Sequence, residues 1–250
     1  MQYHRQVQTY AAAVGLSVLG SLGGLLTAST FLLLGDALRV RLVPWLISYA
    51  VGTLLGASLL ALLPEALEQL APSRALGALL AGVIAFFVIE KLVIWRHCHD
   101  SLECELHTTS AASLVIVGDT LHTFVDGAVI AAAVATSVPL GIMTAVAVAT
   151  HEIPQEVGDV AILLRAGYSR MRAFTLNLLA GLGGVLGAIV MLSASTSIPG
   201  VLPYVLSFAA GNFLYIAMAD LIPDLHRGVQ GGAVRQLMLM SAGILTIAML

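Results

Sequence analysis

The feature that most limits what this chain can become is a succession of apolar runs, each about long enough to cross a bilayer, joined by short connections. A membrane-spanning helix needs roughly 20 largely apolar residues. Such runs occupy roughly residues 10–34, 45–64, 75–95, 111–136, 138–164, 173–194, 202–223 and 234–250. Lipid offers no partner to backbone N–H and C=O groups, so each run is read as a helix that satisfies its own. With 59% hydrophobic and 10% charged residues, the 250-residue chain lacks the polar surface a soluble globule needs. The expectation is an all-α integral membrane protein of eight transmembrane helices, a single domain over 1–250. No basic, aromatic-interleaved stretch points to nucleic acid. The polar residues 1–9 precede a run too long for a cleavable signal peptide, so that run is read as the first span.

Positive charges set the expected orientation. With the N-terminus outside, the inner loops and adjacent helix ends hold Arg39, Arg41, Lys91, Arg96, Arg165, Arg170, Arg172, Arg227 and Arg235, and the outer side keeps Arg5 and Arg74. Both termini are then extracytoplasmic, and the polar segment at about 95–109 is cytoplasmic. The compact chain suggests a bacterial inner membrane.

The sequence also repeats itself. Ser48-Tyr49-Ala50-Val51-Gly52-Thr53 aligns with Ser207-Phe208-Ala209-Ala210-Gly211-Asn212, and Leu62-Leu63-Pro64-Glu65 aligns with Leu221-Ile222-Pro223-Asp224 without a gap between the blocks. Ser21 to Leu26 similarly matches Gly181 to Leu186. Helices two and seven are an odd number of crossings apart, so the copies point in opposite directions. Inverted repeats with substrate near the midplane are an architecture of secondary transporters. Here helices one to three and six to eight would surround helices four and five.

That central pair carries the costliest residues. Helix four contains Asp119, His122 and Asp126 on one stripe, with Thr123 beside it; helix five contains His151, Gln155 and Asp159 on one stripe, flanked by Glu152 and Glu156. Ionisable groups inside apolar spans mark a function by default. Imidazoles, carboxylates and an amide oxygen converging from two helices make a divalent-metal site. The expected ligands are His122, Asp126, His151, Glu152 and Gln155. Asp119, Thr123, Glu156, Asp159, Asn177, Asn212 and Asp220 are candidates for a supporting shell or a pathway. Pro154 is expected to kink helix five. His97, Cys98, His99, Cys104 and His107 could bind metal at the cytoplasmic segment. Such a chain would carry Zn2+ or another divalent transition metal across the lipid bilayer as its substrate, with no organic cofactor.

The two inserts resemble paired signatures of the ZIP (Zrt/Irt-like) metal transporters. His122-Thr123-Phe124-Val125-Asp126-Gly127 is similar to their His-Asn-x-x-Asp-Gly, and His151-Glu152-Ile153-Pro154-Gln155-Glu156 to their His-Glu-x-Pro-His-Glu. Asn212-Phe213-Leu214-Tyr215 and Leu221-Ile222-Pro223-Asp224 resemble the family's seventh helix, and Leu62-Leu63-Pro64-Glu65 its second. The resemblance implies eight spans, external termini, a metal path between helices two, four, five and seven, and a homodimer. It also implies a primary site of His122, Asp126, His151 and Gln155, with Glu152 shared or part of a second site. Thr123 and Gln155 depart from the family's usual Asn and His, and helix six lacks the carboxylate that members with two adjacent metals use. Fewer imidazoles and more oxygen donors relax the expected zinc selectivity toward harder ions such as iron, manganese or cobalt, with cadmium also possible.

The function expected is import of divalent metal by alternating access. Ligands must be deprotonated to bind, so uptake should depend on pH. Two alternatives stay open: a passive cation channel sharing the site, and an intramembrane zinc protease, since His151-Glu152 begins a His-Glu-x-x-His-like run. Gln155 in place of the second His, and Pro154 within the run, disfavour the protease.

Overall fold

A computed structural model describes residues 2–31, 36–98, 107–227 and 232–250, and every regular element in them is helical. The elements are α1 (Gln2–Phe31), α2 (Asp36–Gly56), α3 (Leu63–Gln69), α4 (Pro72–Cys98), α5 (His107–Thr136), α6 (Val138–Arg165), α7 (Arg170–Ser197), α8 (Val201–Tyr215), α9 (Ile222–Arg227) and α10 (Ala233–Met249). A π-helical segment, Ala57–Leu62, joins α2 to α3, and a second, Ile216–Leu221, joins α8 to α9. Among the described residues, six stretches, in α1, α2–α3, α4, α5, α7 and α8–α9, are long and apolar enough to cross a membrane. The protein is therefore a helical membrane protein. α6 is not among the six, because its polar insert lies at mid-length, and α10, with 17 residues, is shorter.

Several helices outrun their expected bounds. Residues 36–41 and 65–69, expected as connections, are helical. Pro154 does not interrupt α6, which continues as α-helix on both sides of it. Pro64 and Pro223 act differently. Immediately before each, the chain widens by one residue per turn: the Leu63 N–H bonds the Ser58 carbonyl and the Ile222 N–H bonds the Ala217 carbonyl. Proline lacks an N–H and its ring crowds the carbonyl one turn earlier, so a π-turn upstream relieves both problems without ending the helix. These two π-turns occupy matching positions in the aligned blocks of sequence.

Packing places the central pair inside. α5 packs most extensively on α7, α1 on α6, α4 on α8, and α2 on α10. Close approach at the last two contacts depends on glycine. A Cβ on Gly52 would overlap the Met240 carbonyl and one on Gly243 the Tyr49 carbonyl; correspondingly, Gly211 faces the Leu79 carbonyl and Gly82 the Phe208 carbonyl. Ser207 Oγ also donates to the Ala75 carbonyl at 2.5 Å, and Ser58 Oγ to the Ala210 carbonyl at 2.7 Å.

α5 and α6 form a tight hairpin. Their one connecting residue, Ser137, is extended and caps α6, its Oγ accepting from the Leu140 N–H at 3.3 Å. The polar inserts lie at similar chain distances on either side of Ser137, so the hairpin brings them level. Near the turn the pair is dry: Val129, Ile130, Ala131, Ala132, Ala133, Ala147 and Val148 are all buried in one apolar cluster. Beyond the inserts the same two helices line a cavity.

Candidate metal site

The two stripes face each other. His122 Nε2 lies 3.1 Å from His151 Nε2, and Asp126 Oδ2 lies 3.3 Å from each of those nitrogens. A carboxylate oxygen of Glu152 completes a group of four donor atoms, all within 4.8 Å of one another. Asp126 and Glu152 are fully buried and His151 is 1% exposed. A tetrahedral ion with bonds of about 2.0 Å holds its donors about 3.3 Å apart. The two imidazoles and Asp126 stand at that spacing.

Local structure aims these groups. His151 Nδ1 lies 3.0 Å from the Ala147 carbonyl, one turn back on α6. A carbonyl can only accept, so Nδ1 carries a proton, and Nε2 is the ring atom presented to His122 and Asp126. Phe86 of α4 and Phe213 of α8 meet the two imidazoles edge-on, with ring centroids 6.0 Å away in each case. α1 presses on the fourth member: a Cβ on Gly24 would come within 2.8 Å of Glu152 Cβ.

The other expected residues divide. Asp119 is buried in a second group with Glu152 and Glu156. Gln155 lines the cavity, and its Nε2 donates to Asp119 Oδ1 at 3.5 Å, leaving its own oxygen as an acceptor. Asp159 and Asp220 line the same cavity, of roughly 510 Å³. Asn177 and Asn212 are fully buried, and neither amide makes a hydrogen bond among the described residues. Thr123 turns elsewhere: its Oγ1 donates to the Ala180 carbonyl of α7 at 2.9 Å. Thr123→Val should therefore lower thermal stability by about 1 kcal/mol and leave zinc affinity in a chelator competition unchanged; a large affinity loss would contradict that placement. His99 and Cys104 lie outside the described residues, as do the side chains of His97, Cys98 and His107.

Two cavity residues escaped the sequence reading. The Tyr215 hydroxyl donates to Glu90 Oε2 at 2.5 Å across the cavity wall. A charge within the apolar run at 75–95 was the available signal for Glu90. Tyr215 gave none beyond its place in a segment already singled out.

Comparison with known proteins meets this geometry. A family model described as "ZIP Zinc transporter" matches residues 96–250, a stretch that contains every member of the four-residue group. Zinc transporter ZIP13 of Pongo abelii is 35% identical over 236 residues, covering 86% of this chain and 70% of that protein. The chain belongs to the ZIP family. Human zinc transporter ZIP13 is 30% identical over 273 residues, covering 86% and 74%, and zinc transporter ZIP10 of Danio rerio is 40% identical over 119 residues, covering 48% and 14%. In this ZIP-family chain the two signature segments are thus both on facing stripes of one hairpin.

Proposed function

We propose that this chain is a secondary transporter importing divalent transition-metal ions, zinc foremost, with iron, manganese, cobalt and cadmium as further substrates. The observation that carries the reading is the convergence of His122, Asp126 and His151 at separations a tetrahedral ion requires, with the buried Glu152 beside them. Gln155 contributes its amide oxygen as a further ligand. The relatives are named zinc transporters, which supports zinc as the first substrate.

Alternating access is the proposed mechanism. One side of the site opens to the cavity; the other meets the apolar half of the α5–α6 hairpin. An ion bound between them reaches one compartment at a time, which favours a carrier over a continuous pore. By the positive-charge asymmetry the cavity side is cytoplasmic and both termini lie outside. α6 and α10 are read as spans too, making eight. Matching π-turns, reciprocal glycine contacts, and the paired packing of α4 on α8 and α2 on α10 support an inverted repeat about α5 and α6. Assembly as a homodimer follows from the family resemblance.

Tracer uptake into proteoliposomes tests this. Zinc influx should saturate with concentration, fall to background in His122→Ala, and proceed without cleavage of added peptides. Influx that rises without limit would establish a channel, and peptide cleavage dependent on Glu152 would establish a protease.

A further inference from the structure

α2 supplies none of the four clustered donors, yet one of its side chains reaches α6 beside His151. Thr53 Oγ1 lies 2.6 Å from Thr150 Oγ1. Each hydroxyl also has a carbonyl of its own helix within reach: Ala50 at 2.9 Å from Thr53, and Ala147 at 2.9 Å from Thr150. The Ala147 carbonyl is the one that accepts from His151 Nδ1 at 3.0 Å. Thr53, Ala50 and Ala147 are fully buried, so these groups must satisfy one another.

Counting protons decides the direction of the chain. A hydroxyl has one proton to give, and a carbonyl oxygen has two lone pairs to receive with. One lone pair of Ala147 takes the backbone N–H of His151, four residues on in the helix. If Thr150 also donated there, three donors would crowd two lone pairs and the Nδ1 bond would weaken. If Thr150 donates to Thr53 and Thr53 to Ala50, every donor is matched. The Ala50 carbonyl then takes Thr53 and the Leu54 N–H, and Ala147 keeps its second lone pair for the imidazole. We infer that Thr53 is a positioning residue for His151, acting by drawing the Thr150 proton away from the Ala147 carbonyl. The inference rests on the metal-site reading above and brings α2 into the control of that site. Partners that hold a ligating imidazole by its other nitrogen fix the ring and govern roughly 10–100-fold in metal affinity. An α2 drawn away from α6 would return the Thr150 proton to Ala147 and loosen the grip on metal.

The test is zinc competition against a chromophoric chelator, with the full-length chain in detergent. Thr53→Val keeps the side chain's shape but can neither accept nor pass on a proton, and should weaken zinc binding about tenfold. Thr53→Ser should bind as wild type does. Thr150→Val removes the competing proton and should stay within about threefold of wild type, and adding it to Thr53→Val should restore affinity. A role in packing alone predicts no such rescue. Wild-type affinity in Thr53→Val overturns the inference, as does a double variant as weak as Thr53→Val. A loss of about tenfold in Thr150→Val overturns it however Thr53→Val folds. A wild-type chain that bound no zinc would remove the site itself, so the two failures are distinct.

Discussion

Replacing His151 with alanine is expected to weaken zinc binding at least about 100-fold and to reduce proteoliposome uptake to background. Losing a group that merely orients a ligand costs 10–100-fold in metal affinity, and a direct ligand costs no less. His151 is the most constrained donor of the set. It is 1% exposed, its Nδ1 is tied to the Ala147 carbonyl, and its Nε2 meets both His122 and Asp126. Competition against a chromophoric chelator measures the change. An alanine variant that still bound zinc within threefold of wild type would remove His151 from the site.

The second large effect comes from a residue with no chemistry of its own. A Cβ on Gly127 would overlap the backbone of Gly184, where α5 and α7 touch. Backbone cannot move aside as a flexible side chain can, so the helices must separate. Gly127→Val should destabilise the protein by about 3 kcal/mol or more. Gly127 directly follows Asp126, so the displacement also moves that carboxylate from the two imidazoles, and zinc affinity should fall with stability. Gly77 serves as the control: nothing lies within 4 Å of a Cβ added there, and Gly77→Ala should stay within about 1 kcal/mol of wild type. Thermal unfolding in detergent, with and without zinc, separates the two variants. Equal melting temperatures would show that the α5–α7 contact does not depend on glycine.

The membrane class and the two polar stripes were legible in the residues, because both follow from short-range rules. Apolar run length reports a span, and a helix returns to the same face every three or four residues, so His122 with Asp126 needed no tertiary knowledge. Proline was a poorer guide. Pro154 continues inside α6, and Pro64 and Pro223 are absorbed by π-turns that no local pattern announced. The helices therefore run past the places where the sequence suggested they stop.

Which neighbour each stripe meets is another matter, because it depends on how closely helices distant in the chain approach. Thr123 sits one residue from His122, yet a helix turns 100° in that step, and α7 comes near enough to claim its hydroxyl for the Ala180 carbonyl. The same closeness sets Glu152 between two clusters, turns Gln155 onto Asp119, and pairs Tyr215 with Glu90. By itself the sequence determined that buried imidazoles and carboxylates would share helix faces within a membrane-embedded bundle. Only the tertiary structure decided which of them converge, since convergence depends on interhelical contacts that glycines far apart in the chain permit.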